Sequence, residues 1–204
     1  MRKEVNGNWV DRVNHTTQTP DENLTDIITG FFSGDSLSKE EIYKICSDCI
    51  EVAEDTYGYT RIAETVIEEL YDFESAIELF QKAEAVIADT CDCILLASSI
   101  TENLSDLNWA MELIQKALKK AEIEQSAVLY MLIAELYCDM FTDNFRGRAT
   151  YELAEKYAKS EDEFELLAKS ILEYLNDKNW YSRLINRAVI KSPRFLCIDE
   201  LCLN

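Results

Sequence analysis

The sequence predicts an all-α fold: an α-solenoid of about four to five stacked helical hairpins with an N-terminal capping helix. Three observations carry this. Only 5 Gly and 2 Pro occur in 204 residues, which starves the chain of the tight turns and bulges that sandwiches and barrels need. Hydrophobic residues make up 48% of the chain, enough to bury a sizeable core. Finally, the chain echoes itself at helical spacing. Ala63, Val66, Leu70, Asp72, Ala76, Leu79 and Ala83 return 34 residues later as Ala97, Ile100, Leu104, Asp106, Ala110, Leu113 and Ala117. A further 71 residues on stand Ala168, Ile171, Leu175, Asp177, Leu184 and Ala188, and a degenerate copy lies between them with Ala134, Asp139, Phe141, Asp143, Leu153 and Lys156.

Taken in order, residues 1–37 read as an N-terminal arm holding His15 and Pro20, followed by a capping helix from about Asp21 to Phe32 that stops before Gly34. Residues 38–204 read as one helical-repeat domain, so the chain is a single domain overall. Ser38 and Glu41 form a capping box that opens a helix through Ile42, Ile45, Ile50 and Ala53, paired with the first repeat. Each copy then splits into two amphipathic segments around an Asp suited to cap the second. In the second helix of the first copy, Phe73, Ala76, Phe80, Ala83 and Ile87 share an apolar face. Trp109 and Trp180 occupy one register and are expected to pack between hairpins.

A 34-residue helical hairpin with small residues seven apart, as in Ala76/Ala83 and Ala110/Ala117 with Tyr181/Ala188 keeping the interval, resembles the tetratricopeptide repeat over about residues 38–191. The missing turn glycine of the first helix and the longer turns marked by Asp72, Asp106, Asp143 and Asp177 leave a HEAT-like repeat open. Either resemblance implies a surface that binds proteins or peptides, and carries over no catalytic residue.

Catalytic equipment is sparse. The sole histidine, His15, sits in the arm, so a positioned imidazole base is missing. The five glycines are isolated and form no phosphate loop. Cys46 with Cys49 and Cys91 with Cys93 have the spacing of zinc ligands, but their helical context predicts reduced thiols. The chain is therefore expected to be no enzyme and to hold no cofactor and no metal. No apolar stretch approaches the roughly 20 residues of a membrane span, and no secretory leader is recognisable, so a cytoplasmic location is expected.

Charge says more. Against 20 Lys and Arg stand 39 Asp and Glu, for a net charge of −19 and a pI near 4.4. Residues 40–92 carry a net −12, whereas residues 178–204 are net positive. One register is acidic in every copy: Glu68, Glu102, Asp139 and Glu173. This ladder either meets a cationic partner or pairs with the recurrent Lys82, Lys116, Lys156 and Arg187. Phosphates would be repelled, which excludes direct nucleic-acid binding and points to a basic protein partner. The expected contacts are Glu64, Glu68, Glu69, Asp72, Glu102 and Asp139, with Tyr57 and Tyr71 as anchors. In size, charge and lack of catalytic groups the chain resembles bacterial toxin immunity proteins. That resemblance implies a monomeric inhibitor that blocks a basic toxin, a nuclease above all, in a one-to-one complex. The alternatives are a chaperone for a secreted client, a scaffold protein, and as a minor one an enzyme built on carboxylates such as Glu68, Glu69 and Asp72.

Overall fold

In the computed structural model, residues 37–191 are described; they are helical nearly throughout and contain no strand. Among the described residues nine helices follow one another: α1 (Lys39–Val52), α2 (Thr56–Thr65) with a π-helical turn (Val66–Leu70) continuing it, α3 (Phe73–Ala85), α4 (Thr90–Leu104), α5 (Leu107–Glu124), α6 (Ala127–Asp139), α7 (Asn144–Tyr157), α8 (Glu161–Leu175) and α9 (Lys178–Lys191). The expected arm and capping helix lie outside the described residues. The chain divides into two compact units, Met1–Ile114 and Gln115–Asn204.

The helix starts follow from their caps. Ser38 and Glu41 make the capping box expected of them. Asp72, Asp106, Asp143 and Asp177 each accept from backbone N–H groups two or three residues on, satisfying donors that the first helical turn leaves without a partner. Before the first helix of each hairpin, Asp55, Asp89, Ser126 and Ser160 do the same. The ends are less conventional. Tyr71, Ser105, Gln125, Thr142 and Asn176 all have φ between 50° and 58°, the left-handed region where glycine is the usual occupant, and no described glycine sits there.

In the first unit α1 packs on α2 and its π turn, α2 packs on α3, and both pack on α4. Ala63, Ala76, Ala83, Ala97 and Ala110 are all fully or nearly fully buried, so the small-residue register is the close approach between helices. In the second unit α6 packs on α7, α8 on α9, and α8 also meets α6 and α7. Helix α6 is buried on every side from Leu129 to Cys138, which explains its continuous apolar run.

The same set of contacts occurs twice, 71 residues apart. The Trp109 indole N–H donates to Glu84 at 2.7 Å and its ring meets Phe80 edge-on at 6.4 Å. The Trp180 indole N–H donates to Glu155 at 2.7 Å and its ring meets Tyr151 edge-on at 6.4 Å. Both tryptophans pack between hairpins, as the sequence indicated. Likewise the Ser99 hydroxyl donates to Glu64, and that of Ser170 to the fully buried Glu135. Two hairpins, not one, form the larger unit of pattern.

That pattern corrects two expectations. In the degenerate copy the small pair is Gly147 and Ala154, both buried, 71 residues after Ala76 and Ala83; Leu153, placed in the apolar stripe by sequence, is exposed. Phe73 is exposed rather than buried, because it is the first residue of α3 and lies at the hairpin tip beyond the packed face.

Candidate functional site

The residues singled out by charge separate into two groups. Glu68 and Glu69 stand exposed on the π turn, Tyr71 follows them at 72% exposure, and Glu102 is exposed in the last turn of α4. Asp139 is exposed at the end of α6, and Glu173 at the end of α8, in the second unit. Glu64 and Asp72 have structural duties instead. The Glu64 carboxylate is a joint between α2 and α4, holding Arg61 on one oxygen and the Ser99 hydroxyl at 2.7 Å on the other. Asp72 caps α3: it accepts from the Ser75 hydroxyl at 2.7 Å, the Ser75 N–H at 3.1 Å and the Tyr43 hydroxyl at 3.1 Å. These bonds, Ser75's first, hold its carboxyl below the usual range. Tyr57 is half-buried.

What remains in the first unit is an edge. Because Glu64 and Ser99 meet in register, α2 and α4 lie side by side, and their C-terminal ends bring Glu68, Glu69 and Glu102 to the same end of the unit. Interleaved with them are Tyr71, Phe73, which the sequence placed on the packed face, and Leu107, which the sequence did not single out; the last two are each 48% exposed. The available signal was position: both follow a capping Asp directly, where a side chain stands off the end of the packed face. The Lys39 ammonium lies 5.9 Å from the Tyr71 ring and orients it.

The charges here are placed against the backbone's own field. A helix C-terminus carries a partial negative charge, and an acid in the last turn costs about 0.3–1 kcal/mol relative to a neutral residue. Neither α4 nor α6 has a basic residue in its last turn, nor has the π turn. Pairing with the recurrent bases, one of the two alternatives for the ladder, does not hold at one rung. Arg187 forms its ion pair with Glu155, not with Glu173, while Lys156 lies over the Tyr157 ring at 5.1 Å.

Among the described residues no group of three or more His, Cys, Asp or Glu is placed to hold a metal ion. Cys46, Cys49, Cys91, Cys93 and Cys138 are in no disulfide and are buried, and Cys197 and Cys202 lie outside the described residues. Burial pushes the Cys46 and Cys138 thiols up to about 11. At pH 8 each therefore holds about 100-fold less thiolate than an ordinary cysteine. Alkylation followed by mass spectrometry should label both sites slowly in the native chain and rapidly in denaturant; fast native labelling would show that they are accessible.

The chain matches no protein-family model, and it has no significant similarity to the curated proteins or to solved structures. No helix among the described residues is long and apolar enough to cross a membrane.

Proposed function

We propose that this chain is a protein-binding module that acts as an acidic immunity-type inhibitor, covering the active surface of a basic toxin, a nuclease, in a one-to-one complex in the cytoplasm. The carrying observation is the edge of the first unit, where Glu68 and Glu69 sit at a helix end that disfavours them and Glu102 is exposed at the same end, beside exposed Tyr71, Phe73 and Leu107. Acids kept at a cost to folding are stabilised when a cationic surface offsets them. Exposed aromatics among them supply the anchors that rim charges lack. A nuclease must hold phosphates and so presents such a cationic surface. Tetratricopeptide-like hairpins stacked as one α-solenoid, closed by an N-terminal helix, belong to the same reading, and no residue is given a catalytic role.

The test is co-expression with the product of the adjacent reading frame, followed by association kinetics at several salt concentrations. Charge reversal of Glu68 and Glu102 to Lys should slow association by roughly tenfold and flatten its salt dependence. Reversal of Glu78 and Glu112, exposed acids on the second helices, should change little. Equal effects of the two pairs would remove the edge from the interface. Binding only to unfolded segments would favour the chaperone.

A further inference from the structure

The second unit carries a surface of opposite character. A groove of about 440 Å³ is lined by Arg148 and Glu152 of α7 and by Asp177, Asn179, Trp180 and Arg183 at the start of α9. The Arg148 guanidinium lies 5.1 Å and that of Arg183 5.7 Å from the Trp180 ring. Each is held by a carboxylate, Arg148 by Asp177 at 2.6 Å and Arg183 by Glu155 at 2.7 Å. Their side chains nonetheless remain 49% and 59% exposed. A guanidinium has five N–H donors in a rigid fork, so one carboxylate orients it without exhausting it.

The first unit supplies an internal control. Seventy-one residues earlier the same positions hold Ile77, Gln81, Asp106, Asn108, Trp109 and Glu112. The cap, the Asn and the Trp are kept, and Trp109 is seated by the same kind of glutamate and the same edge-on aromatic ring, with no arginine at either position. Seating the tryptophan therefore does not require Arg148 or Arg183. Two arginines have been placed around one indole, within a chain of net charge −19, where packing does not call for them.

We propose that this groove binds the carboxylates of an acidic peptide segment of a partner protein, Arg148 and Arg183 gripping them and the Trp180 ring packing beneath the peptide. Glu152 and Asp177 in the same wall repel a compact dianion more strongly than a single carboxylate, which favours carboxylate over phosphate. This surface is separate from the acidic edge, and its test does not depend on the toxin reading.

The indole N–H resonances of the full chain, assigned with W9F and W109F, are followed by NMR in about 0.15 M salt, where distant carboxylates are largely screened. The probes are a hexaglutamate peptide, a hexalysine peptide and inorganic phosphate. Hexaglutamate should shift the Trp180 signal saturably, leave Trp109 in place, and bind R148Q/R183Q at least about tenfold more weakly. R148Q alone leaves the Glu155 cluster intact and serves if the double variant does not fold. No saturable shift, undiminished binding to the folded variant, or a preference for hexalysine would overturn the proposal. A response to phosphate equal to that for hexaglutamate would overturn the carboxylate assignment.

Discussion

Gly147→Ala is expected to destabilise the second unit by about 1–3 kcal/mol, the opposite of what helix propensity alone dictates. Inside an exposed helix the change would gain up to about 1 kcal/mol, since glycine has more backbone entropy to lose. Gly147 is buried in the first turn of α7, against α6, where an added Cβ would meet the Cys138 sulfur at 2.3 Å and the Ala134 carbonyl oxygen at 3.2 Å. The first distance is far inside van der Waals contact, and the second abuts backbone that cannot rotate aside. The two helices must part, disturbing the apolar packing of Ala134 and Ala154. For a chain of this length the thermal midpoint should fall by about 2–4 °C for each kcal/mol. Adding Cys138→Ala removes the nearer obstacle and should recover much of the loss. A midpoint raised by Gly147→Ala alone would mean that the sulfur swings away freely and that α6 and α7 do not need the missing methyl.

That glycine also marks where the sequence was legible and where it was not. The alanine register was readable because close helix approach admits only small side chains, and Ala63, Ala97, Ala134 and Ala168 are all buried at equivalent places. The aspartate caps were readable because the chemistry of a helix start is local. Gly147 was missed as the third member of its series because a degenerate copy aligns only once the 71-residue period is used. Glu64 and Glu68 both belong to the acidic surface expected to meet a partner, and at four residues apart they would share one face of a regular α-helix. The π turn from Val66 to Leu70 widens the helix between them and shifts its phase, so Glu64 turns inward to Ser99 while Glu68 stays in solvent. Nothing in the local composition announces that turn, which both α1 and α3 contact. The Arg148 and Arg183 groove was equally hidden, since its residues lie far apart in sequence and the basic character of residues 178–204 was read only as net charge.

Tyr71→Gly is expected to stabilise the chain while weakening its complex. Tyr71 has φ 58°, a conformation that costs a bulky L-residue roughly 1–2 kcal/mol and glycine almost nothing. With 72% of its surface exposed, the ring regains little by burial, and the exposed cation contact with Lys39 returns only about 0.5–1 kcal/mol. The glycine variant should therefore gain about 0.5 kcal/mol or slightly more, seen as a small rise in thermal midpoint. A strained, exposed aromatic between Glu69 and the capping Asp72 is placed to enter a partner's pocket, and its removal should cost about 2 kcal/mol of binding, near 30-fold in Kd. Thr142→Gly provides the matched comparison, because Thr142 has φ 50°, is also exposed, and lies 71 residues on in the second unit. It should raise the midpoint comparably and leave affinity unchanged. The two variants separate backbone relief from loss of the ring, with differential scanning calorimetry reporting the first and calorimetric titration with the basic partner the second. If Tyr71→Gly binds that partner as tightly as the unaltered chain, the tyrosine is not an anchor and the hairpin tips of the first unit are not the contact surface.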